Sequence, residues 1–300
     1  MTDPVETPSG KGAGDENFPV GSWLLPAALR PHVATFYAFA RAIDDIADNP
    51  DLAPDDKIRR LDGFDAALTG AAGGDDPAFA KAHRLRDSLR ATGVTGQHGR
   101  DLIAAFKQDA VKLRYADWAD LMGYCRLSAA PVGRYLLDLH GQPAADYGPS
   151  DALCNALQVL NHLQDCREDY RRLDRVYLPS DWLDEYGVDI PDLDESEAGI
   201  GLRLALDRCL DGCDALLAEA RGLPGRLKSR RLAMESAVIV RLARRLTVLL
   251  RRGDPLAERV ALTRADFARC GVAGAAAGLL ARPGLSRTAE ARRGPVDRAV

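Results

Sequence analysis

The chain has 300 residues, 46% of them hydrophobic, with a formal net charge of −4. This length suffices for one large domain or two small ones, and the apolar content can bury a sizeable core. The small negative charge gives no indication of a nucleic-acid partner. No run of 18 apolar residues occurs, and the start lacks the apolar segment of a signal peptide, so we expect a cytoplasmic protein without a membrane span.

The six cysteines form no CxxC pair. Cys209 and Cys213 lie four residues apart on one predicted helix, but no histidine or further cysteine with zinc-site spacing accompanies them. We therefore expect reduced cysteines in the core of a cytosolic protein.

Apolar residues recur with the helical period along most of the chain, and no strand-like alternation is evident. Helices are predicted at residues 27–48, 55–69, 77–92, 99–113, 117–140, 150–172, 199–221, 224–253 and 263–281. The breaks between them are rich in glycine, proline and aspartate, and most are short enough to join antiparallel neighbours. We expect one helical domain over residues 17–281, with disordered tails at 1–16 and 282–300.

The first predicted helix contains three aspartates in FYAFARAIDDIAD (36–48), although aspartate is a poor residue for a helix interior. At about 100° per residue, one narrow stripe of this helix holds Tyr37, Arg41, Asp44 and Asp48. The apolar residues cluster on another face. Asp45 lies off the stripe, unlike Asp44 and Asp48.

A second stripe follows in NHLQDCREDYRRLDRVYLP (161–179), where Asn161, Asp165 and Asp169 are spaced four residues apart. The simplest explanation for a single DxxxD is the solvated face of an amphipathic helix. However, solvated faces usually use Lys, Glu, Gln and Arg, and carboxylates four residues apart repel each other by a few tenths of a kcal/mol. A local cost without a local gain points to function.

Paired acids on two helices have a chemical purpose if a metal lies between them. Mg²⁺ takes oxygen ligands and is commonly held by one or two carboxylates together with substrate phosphates. Several Mg²⁺ ions on one diphosphate would make it a good leaving group. Arg41 and Arg175 fit a phosphate-binding role. An apolar cavity with aromatic rings would hold a long apolar chain and face a carbocation; the candidates, otherwise plain core residues, are Phe36, Tyr37, Phe39 and Tyr124.

Four motifs in chain order resemble those of the squalene/phytoene synthases, which have the all-helical isoprenoid synthase fold. They are DDIAD (44–48), YCRLSAAPVG (124–133), DCRED (165–169) and DRVYLP (174–179). The resemblance covers roughly residues 17–270, and the four motifs in this order are highly specific. It implies a single-domain, all-α bundle with a central apolar cavity.

Two stretches, residues 16–48 and 161–179, look like the bacterial hydroxysqualene synthase branch of that family. Enzymes of that branch act in hopanoid biosynthesis and convert presqualene diphosphate to hydroxysqualene, which a separate flavin enzyme reduces. Relatives that form phytoene or dehydrosqualene usually have arginine before the first acid of the second motif, where this chain has Gln164. Loss of a diphosphate-binding cation there would suit an enzyme that handles one diphosphate instead of two.

The resemblance also implies roles for individual residues. Two or three Mg²⁺ ions are expected on Asp44, Asp48, Asn161, Asp165 and Asp169. Substrate contacts are implied for Phe18, Ser22, Tyr37, Arg41, Gln164, Arg175 and Tyr177, and a catalytic role for Tyr124 and the four motif aspartates. Ionisation would give a cyclopropylcarbinyl cation that rearranges to a tertiary allylic cation and is captured by water. No NADPH is expected.

Some positions depart from the pattern or stay open. Ala130 stands where this branch would have asparagine, which puts product control in doubt. Arg259 is the best candidate for the family's C-terminal substrate contact, although an ordinary helix-end arginine is an equal alternative. Of the histidines, only His162 lies near the site, and we expect it behind the residues that contact the substrate.

Alternative functions also stay open. A head-to-head prenyltransferase would condense two farnesyl or geranylgeranyl diphosphates, and a non-catalytic helical assembly factor would have lost the chemistry. Gln164 and the NFPVGS start favour hydroxysqualene formation, and two intact acid pairs argue against an assembly factor.

The resemblance further suggests hand-off of the product to a sister synthase and a flavin-dependent reductase. The basic stretch at 224–253 could contact the inner face of a membrane peripherally, although a core helix with a solvated basic edge is the simpler interpretation.

Overall fold

The computed structural model describes residues 5–7, 25–71 and 76–280, with only the backbone described at 279 and 280. Within these ranges most residues are helical, which confirms the predicted all-α class. The helices are α1 (Arg30–Ala47), α2 (Pro54–Thr69), α3 (Ala80–Thr92), α4 (Gln97–Asp109), α5 (Trp118–Ser128), α6 (Ala130–Leu139), α7 (Tyr147–Leu173), α8 (Ser180–Glu185), α9 (Ile200–Ala220), α10 (Leu223–Arg226), α11 (Arg230–Arg252) and α12 (Arg264–Leu280). Short 3₁₀ segments occur at Pro77–Phe79, Ala144–Asp146 and Ile190–Asp194. Apart from residues 5–7, the predicted tails lie outside the described residues.

Local side-chain chemistry sets several helix ends. The Asp117 carboxylate accepts the backbone N–H of Asp120 at 2.8 Å before α5, and the Ser229 hydroxyl accepts that of Leu232 at 3.3 Å before α11. Both contacts satisfy an N–H group that a helix start leaves without an intrahelical partner. Helix α2 ends at Gly70, whose φ of 82° is a left-handed conformation that glycine adopts without strain.

Two predicted helices are in fact broken. The predicted helix at 117–140 divides at Ala129, because Pro131 near the start of α6 has no N–H to continue the hydrogen bonding of α5. The predicted helix at 224–253 divides into α10 and α11, with Leu227 extended between them.

The expectation of no strands is wrong for two short segments. β1 (Arg114–Tyr115) pairs in parallel with β2 (Val176–Pro179), and all four residues of β2 are buried. Such a short, fully buried strand shows no alternation of polar and apolar residues, so its sequence gives no period-two signal. The pair places the residues after α7 beside those after α4.

Two hydrophobic clusters form the core. One joins α1 to α4 around Phe39 and Phe64, whose ring centroids lie 5.9 Å apart. The other, larger cluster joins α5, α7, α9 and α11. Cys209 and Cys213 are fully buried in it, and all six cysteines are free. The expected core position holds for four of them, whereas Cys154 and Cys270 are only partly buried.

Helices α7 and α11 begin at the same end of the molecule and finish at the other. Lys228, just before α11, donates to the carbonyl of Gly141, just before α7, at 3.2 Å. Near the end of α7, Arg167 donates to the carbonyl of Leu256, which follows α11, at 2.6 Å. Among the described helices, none is both long enough and apolar enough to cross a membrane.

Candidate active site

A cavity of 1190 Å³ is bordered by residues of both hydrophobic clusters. Helices α1, α6, α7 and α11 line most of it, and the segment 255–259 closes in from beyond α11. Near the end of α7 the lining is rich in carboxylates and arginines. Elsewhere it is mainly apolar, including Val33, Phe36, Leu136, Leu153, Leu157 and Ile239. The predicted central apolar cavity is therefore confirmed.

All residues of the first predicted stripe line this cavity, namely Tyr37, Arg41, Asp44 and Asp48. Arg41 donates to Asp44 Oδ2 at 2.7 Å and to Asp45 Oδ1 at 3.2 Å. Asp45 is only 8% exposed and is not among the lining residues. The predicted difference between Asp45 and the other two aspartates is confirmed.

The second predicted stripe lies on α7 and lines the same cavity. Asn161, Asp165 and Asp169 are all part of the lining, together with Gln164 and Glu168. The opposite face of α7 is buried in the larger cluster, as its periodicity predicts, through Val159, Leu160, Leu163 and Cys166. The two stripes thus open onto one space.

The charges of the two stripes interact across the cavity. Burial raises the pKa of Asp44 well above its usual range, and the Asp48 carboxylate raises it further. The pKa of Asp169 is raised to about 8, first by burial and then by Asp165 and Asp48. Asp48 directly follows α1 and Asp169 lies on α7, so the first stripe disfavours negative charge on the second.

This donor set fits Mg²⁺. Its carboxylate oxygens are the ligands that Mg²⁺ prefers, and a divalent cation would relieve the repulsion that raises the pKa values of Asp44 and Asp169. In the described part of the chain, no three Asp, Glu, His or Cys side chains form a metal-binding cluster by themselves. One or two carboxylates per ion suffice for Mg²⁺ when phosphate oxygens and water complete the coordination.

Arg175 connects the two helices that carry the stripes. Arg175 is 4% exposed, and its guanidinium donates to Asp48 Oδ1 at 2.5 Å and to the carbonyl of Ala47 at 2.8 Å. The preceding residue, Asp174, has a left-handed φ of 52°, and Arg114 donates to its carboxylate at 2.6 Å. This turn redirects the chain from α7 into β2 and leads Arg175 back toward α1.

Asp109, at the end of α4, is a site residue that the sequence analysis missed. Its carboxylate accepts the hydroxyl of Tyr124 at 2.7 Å and that of Tyr177 at 3.1 Å, and all three residues line the cavity. Burial raises the pKa of Asp109 to about 6. A sequence signal existed, because an aspartate in the last turn of a helix opposes the helix dipole.

His162 lies among these aromatic residues. Its ring stacks on Tyr177 with centroids 3.5 Å apart, and its Nδ1 lies 4.0 Å from Asp169 Oδ2. Burial lowers the pKa of His162 to about 3, so the imidazole is neutral. The sequence analysis expected His162 behind the residues that contact the substrate, but His162 lines the cavity itself.

Gln164 lines the cavity and also has a structural partner that its sequence position did not suggest. Its side-chain amide donates to the carbonyl of Val260 at 2.6 Å. Together with the bond from Arg167 to Leu256, this contact fastens the segment 255–260 to α7. Arg259 belongs to that segment, is exposed, and lines the cavity at its acidic end.

The remaining candidates divide between the cavity and the core. Phe36 lines the cavity and stacks on Tyr135 with centroids 4.0 Å apart. Phe39 was a wrong candidate, because its side chain is fully buried between α1 and α2 and does not line the cavity. Ala130 is fully buried at the start of α6. The predicted substrate contacts Phe18 and Ser22 lie outside the described residues.

Comparisons with known proteins show the family to which the chain belongs. A family model described as squalene/phytoene synthase matches residues 12–266. The hydroxysqualene synthase of Rhodopseudomonas palustris is 44% identical over 89% of this chain and 90% of its own length. That of Zymomonas mobilis is 42% identical over 86% of each chain. The crystal structure of squalene synthase HpnC from Alicyclobacillus acidocaldarius is 33% identical, covers 78% of this chain and 87% of its own, and superimposes with a TM-score of 0.69.

Proposed function

Because the chain belongs to the squalene/phytoene synthase family, we propose that it converts presqualene diphosphate to hydroxysqualene in squalene and hopanoid biosynthesis. The observation that carries the proposal is the pair of facing acid stripes at one end of a large apolar cavity. The names of the two bacterial relatives support this choice of reaction within the family.

The acidic end would hold the diphosphate. Bound there, two or three Mg²⁺ ions would neutralise the diphosphate and make it a better leaving group. The residues that would hold them are Asp44, Asp48, Asn161, Asp165 and Asp169. Arg41 and Arg175 already face carboxylates of the first stripe, so phosphate oxygens beside those carboxylates would come within reach of both guanidiniums.

The apolar part of the cavity would hold the two isoprenoid tails and the cation. Breakage of the carbon–oxygen bond to the diphosphate gives a cyclopropylcarbinyl cation, which rearranges to a tertiary allylic cation. Phe36, Tyr37 and Tyr124 line the cavity and can offer π-faces to it. His162 adds no opposing charge, because burial holds its pKa at about 3.

Water then adds to the cation, forming a carbon–oxygen bond and releasing one proton. Asp109, with a pKa raised by burial to about 6, is mostly ionised at neutral pH and can accept that proton. Tyr124, which lines the cavity and donates to Asp109 at 2.7 Å, provides the path. The reaction as proposed needs no reductant.

Incubation of the purified protein with Mg²⁺ and no NADPH tests the proposal. Presqualene, farnesyl and geranylgeranyl diphosphate are supplied separately, and the lipid extract is analysed by mass spectrometry. The expected result is hydroxysqualene from presqualene diphosphate, with ¹⁸O incorporated when the reaction is run in H₂¹⁸O. Excess EDTA should abolish turnover, and activity that persists in EDTA would contradict the Mg²⁺ role.

The same assay separates the alternatives. Coupled products from farnesyl or geranylgeranyl diphosphate, with no conversion of presqualene diphosphate, would identify a head-to-head prenyltransferase instead. Inertness toward every diphosphate, in protein that is folded by circular dichroism, would favour the assembly factor.

A further inference from the structure

Glu235 is a buried acid that the proposed chemistry does not use. It lies in the second turn of α11, is 5% exposed, and lines the cavity. Its Oε2 is buried without a hydrogen-bond partner among the described residues. A buried polar atom in this state is unfavourable unless water or a ligand satisfies it.

Glu235 lies at the end of the cavity away from the acid stripes. Helices α7 and α11 begin together, and the segment 255–259 that follows α11 is bound to α7 beside Asp165. Glu235 precedes Arg252, the last residue of α11, by 17 positions, which corresponds to about 25 Å of helix. We call this region the far end, lined by Ser150, Leu223, Leu232, Glu235 and Ser236.

The five residues named at the far end are buried, and three of them are polar. Ser150 and Ser236 are 4% and 7% exposed, so two hydroxyls accompany the carboxyl in a buried region. A cavity of this size has room for water, and buried water typically binds two to four such polar groups. Burial alone raises the pKa of Glu235 to about 7. The apolar part of the cavity is therefore followed, at the end away from the acid stripes, by a carboxyl group and two hydroxyls.

We propose that Glu235 limits the length of the isoprenoid tail that the cavity accepts, by keeping the far end hydrated. A tail that ends short of Glu235 leaves the water and its hydrogen bonds in place. A tail with one more isoprene unit would displace that water and press methyl groups against the carboxyl, which is unfavourable. The inference rests on the proposed function only in taking farnesyl-length tails as the ones that fit.

Binding of non-reacting analogues tests this inference without turnover. The S-thiolo analogues of farnesyl and geranylgeranyl diphosphate are titrated by calorimetry into the wild type, Glu235→Leu and Glu235→Gln, with Mg²⁺ present. The wild type should prefer the farnesyl analogue. In Glu235→Leu that preference should fall by about tenfold or more, because the water-binding carboxyl is gone. Glu235→Gln, which still binds water, should keep most of it.

Glu219→Leu is the matched control, since it removes an exposed acid of α9 that does not line the cavity. An unchanged preference in folded Glu235→Leu would overturn the inference, as would the same loss in Glu219→Leu. If Glu235→Leu fails to fold, Glu235→Met makes the same test.

A failure of the proposed function shows up elsewhere, as absence of hydroxysqualene in the wild type. It leaves the analogue titration interpretable. Where the wild type is active, the ratio of kcat/KM for presqualene diphosphate to that for its homologue, longer by one isoprene unit in each half, should fall in Glu235→Leu in parallel.

Discussion

Arg175 and Asp48 form an ion pair of 2.5 Å between the end of α7 and the end of α1. The Arg175 side chain is 5% exposed, whereas that of Asp48 is 42% exposed, so the cation is fixed and the carboxylate still faces the cavity. The same guanidinium donates to the carbonyl of Ala47. This contact links the two acid stripes, because Asp48 belongs to the first and Arg175 follows the second in the chain.

Loss of this pair should weaken the fold measurably. Arg175→Gln is expected to lower the free energy of unfolding by about 1–3 kcal/mol, because a buried carbonyl and Asp48 lose a charged donor. Urea unfolding measures this free energy. The control Arg59→Gln breaks an exposed pair with Asp56 and should change the free energy of unfolding little. A double-mutant cycle with Asp48→Asn should show coupling between the two sites; strict additivity would contradict the role given to the pair.

Substitution of the stripe acids should separate stability from activity. Burial and the neighbouring Asp165 and Asp48 raise the pKa of the Asp169 carboxyl group, so its charged form is unfavourable in the folded protein. Asp169→Asn removes that group, and the melting temperature should therefore rise or stay unchanged. Turnover of the diphosphate substrate should fall by about a hundredfold or more, because a Mg²⁺ ligand is lost. Asp62→Asn, at an exposed acid of α2, is the control. Retained turnover in Asp169→Asn would remove this residue from the proposed site.

The contact from Gln164 to Val260 predicts a dependence between Gln164 and Arg259. Gln164→Leu frees the segment 255–260 on one side, so it should raise KM for the diphosphate substrate if Arg259 contacts it. Arg259→Ala should raise KM similarly, and the double variant should be no worse than Arg259→Ala alone. Additive effects would show that Gln164 acts independently of Arg259.

A Gln164→Arg variant with an unchanged product profile would count against the one-diphosphate explanation of this position.

Glu235 predicts a pH dependence of stability. Burial raises the pKa of Glu235 from an ordinary 4.5 to about 7 in the folded protein. Below pH 4.5 the group is protonated in both states and imposes no penalty. Between pH 4.5 and 7 the unfolded chain ionises first, so stability falls as pH rises, by up to about 3 kcal/mol.

The measurement is urea unfolding of wild type and Glu235→Gln at several pH values. The wild type should lose stability relative to Glu235→Gln from pH 4.5 to 7, and the difference should then level off. A constant difference across this range would show that Glu235 is not held protonated by the fold.

The acid stripes could be predicted from the sequence because residues four apart on a helix share a face whatever the tertiary structure. That rule placed Asp44, Asp48, Asp165 and Asp169 and also set Asp45 apart. It could not identify Asp109, whose role depends on hydroxyls that arrive from α5 and β2.

Tertiary partners explain the other differences. The motif drew attention to Gln164, but its partner Val260 is 96 residues away and has no sequence signal. Strand β2 exists because the chain after α7 meets the chain after α4, and four buried residues carry no alternation of their own.

Asp174 is the one described non-glycine residue with a positive φ. The sharp turn at this residue lets one short stretch of chain supply three parts of the site. Between residues 161 and 177 the chain supplies the second acid stripe, the arginine that reaches α1 and the tyrosine that reaches Asp109 on α4. The local backbone conformation at Asp174 thus links three helices, α1, α4 and α7. A β-branched residue at position 174 cannot adopt this φ without strain. It would therefore disturb the contacts that the following residues make with α1 and with Asp109.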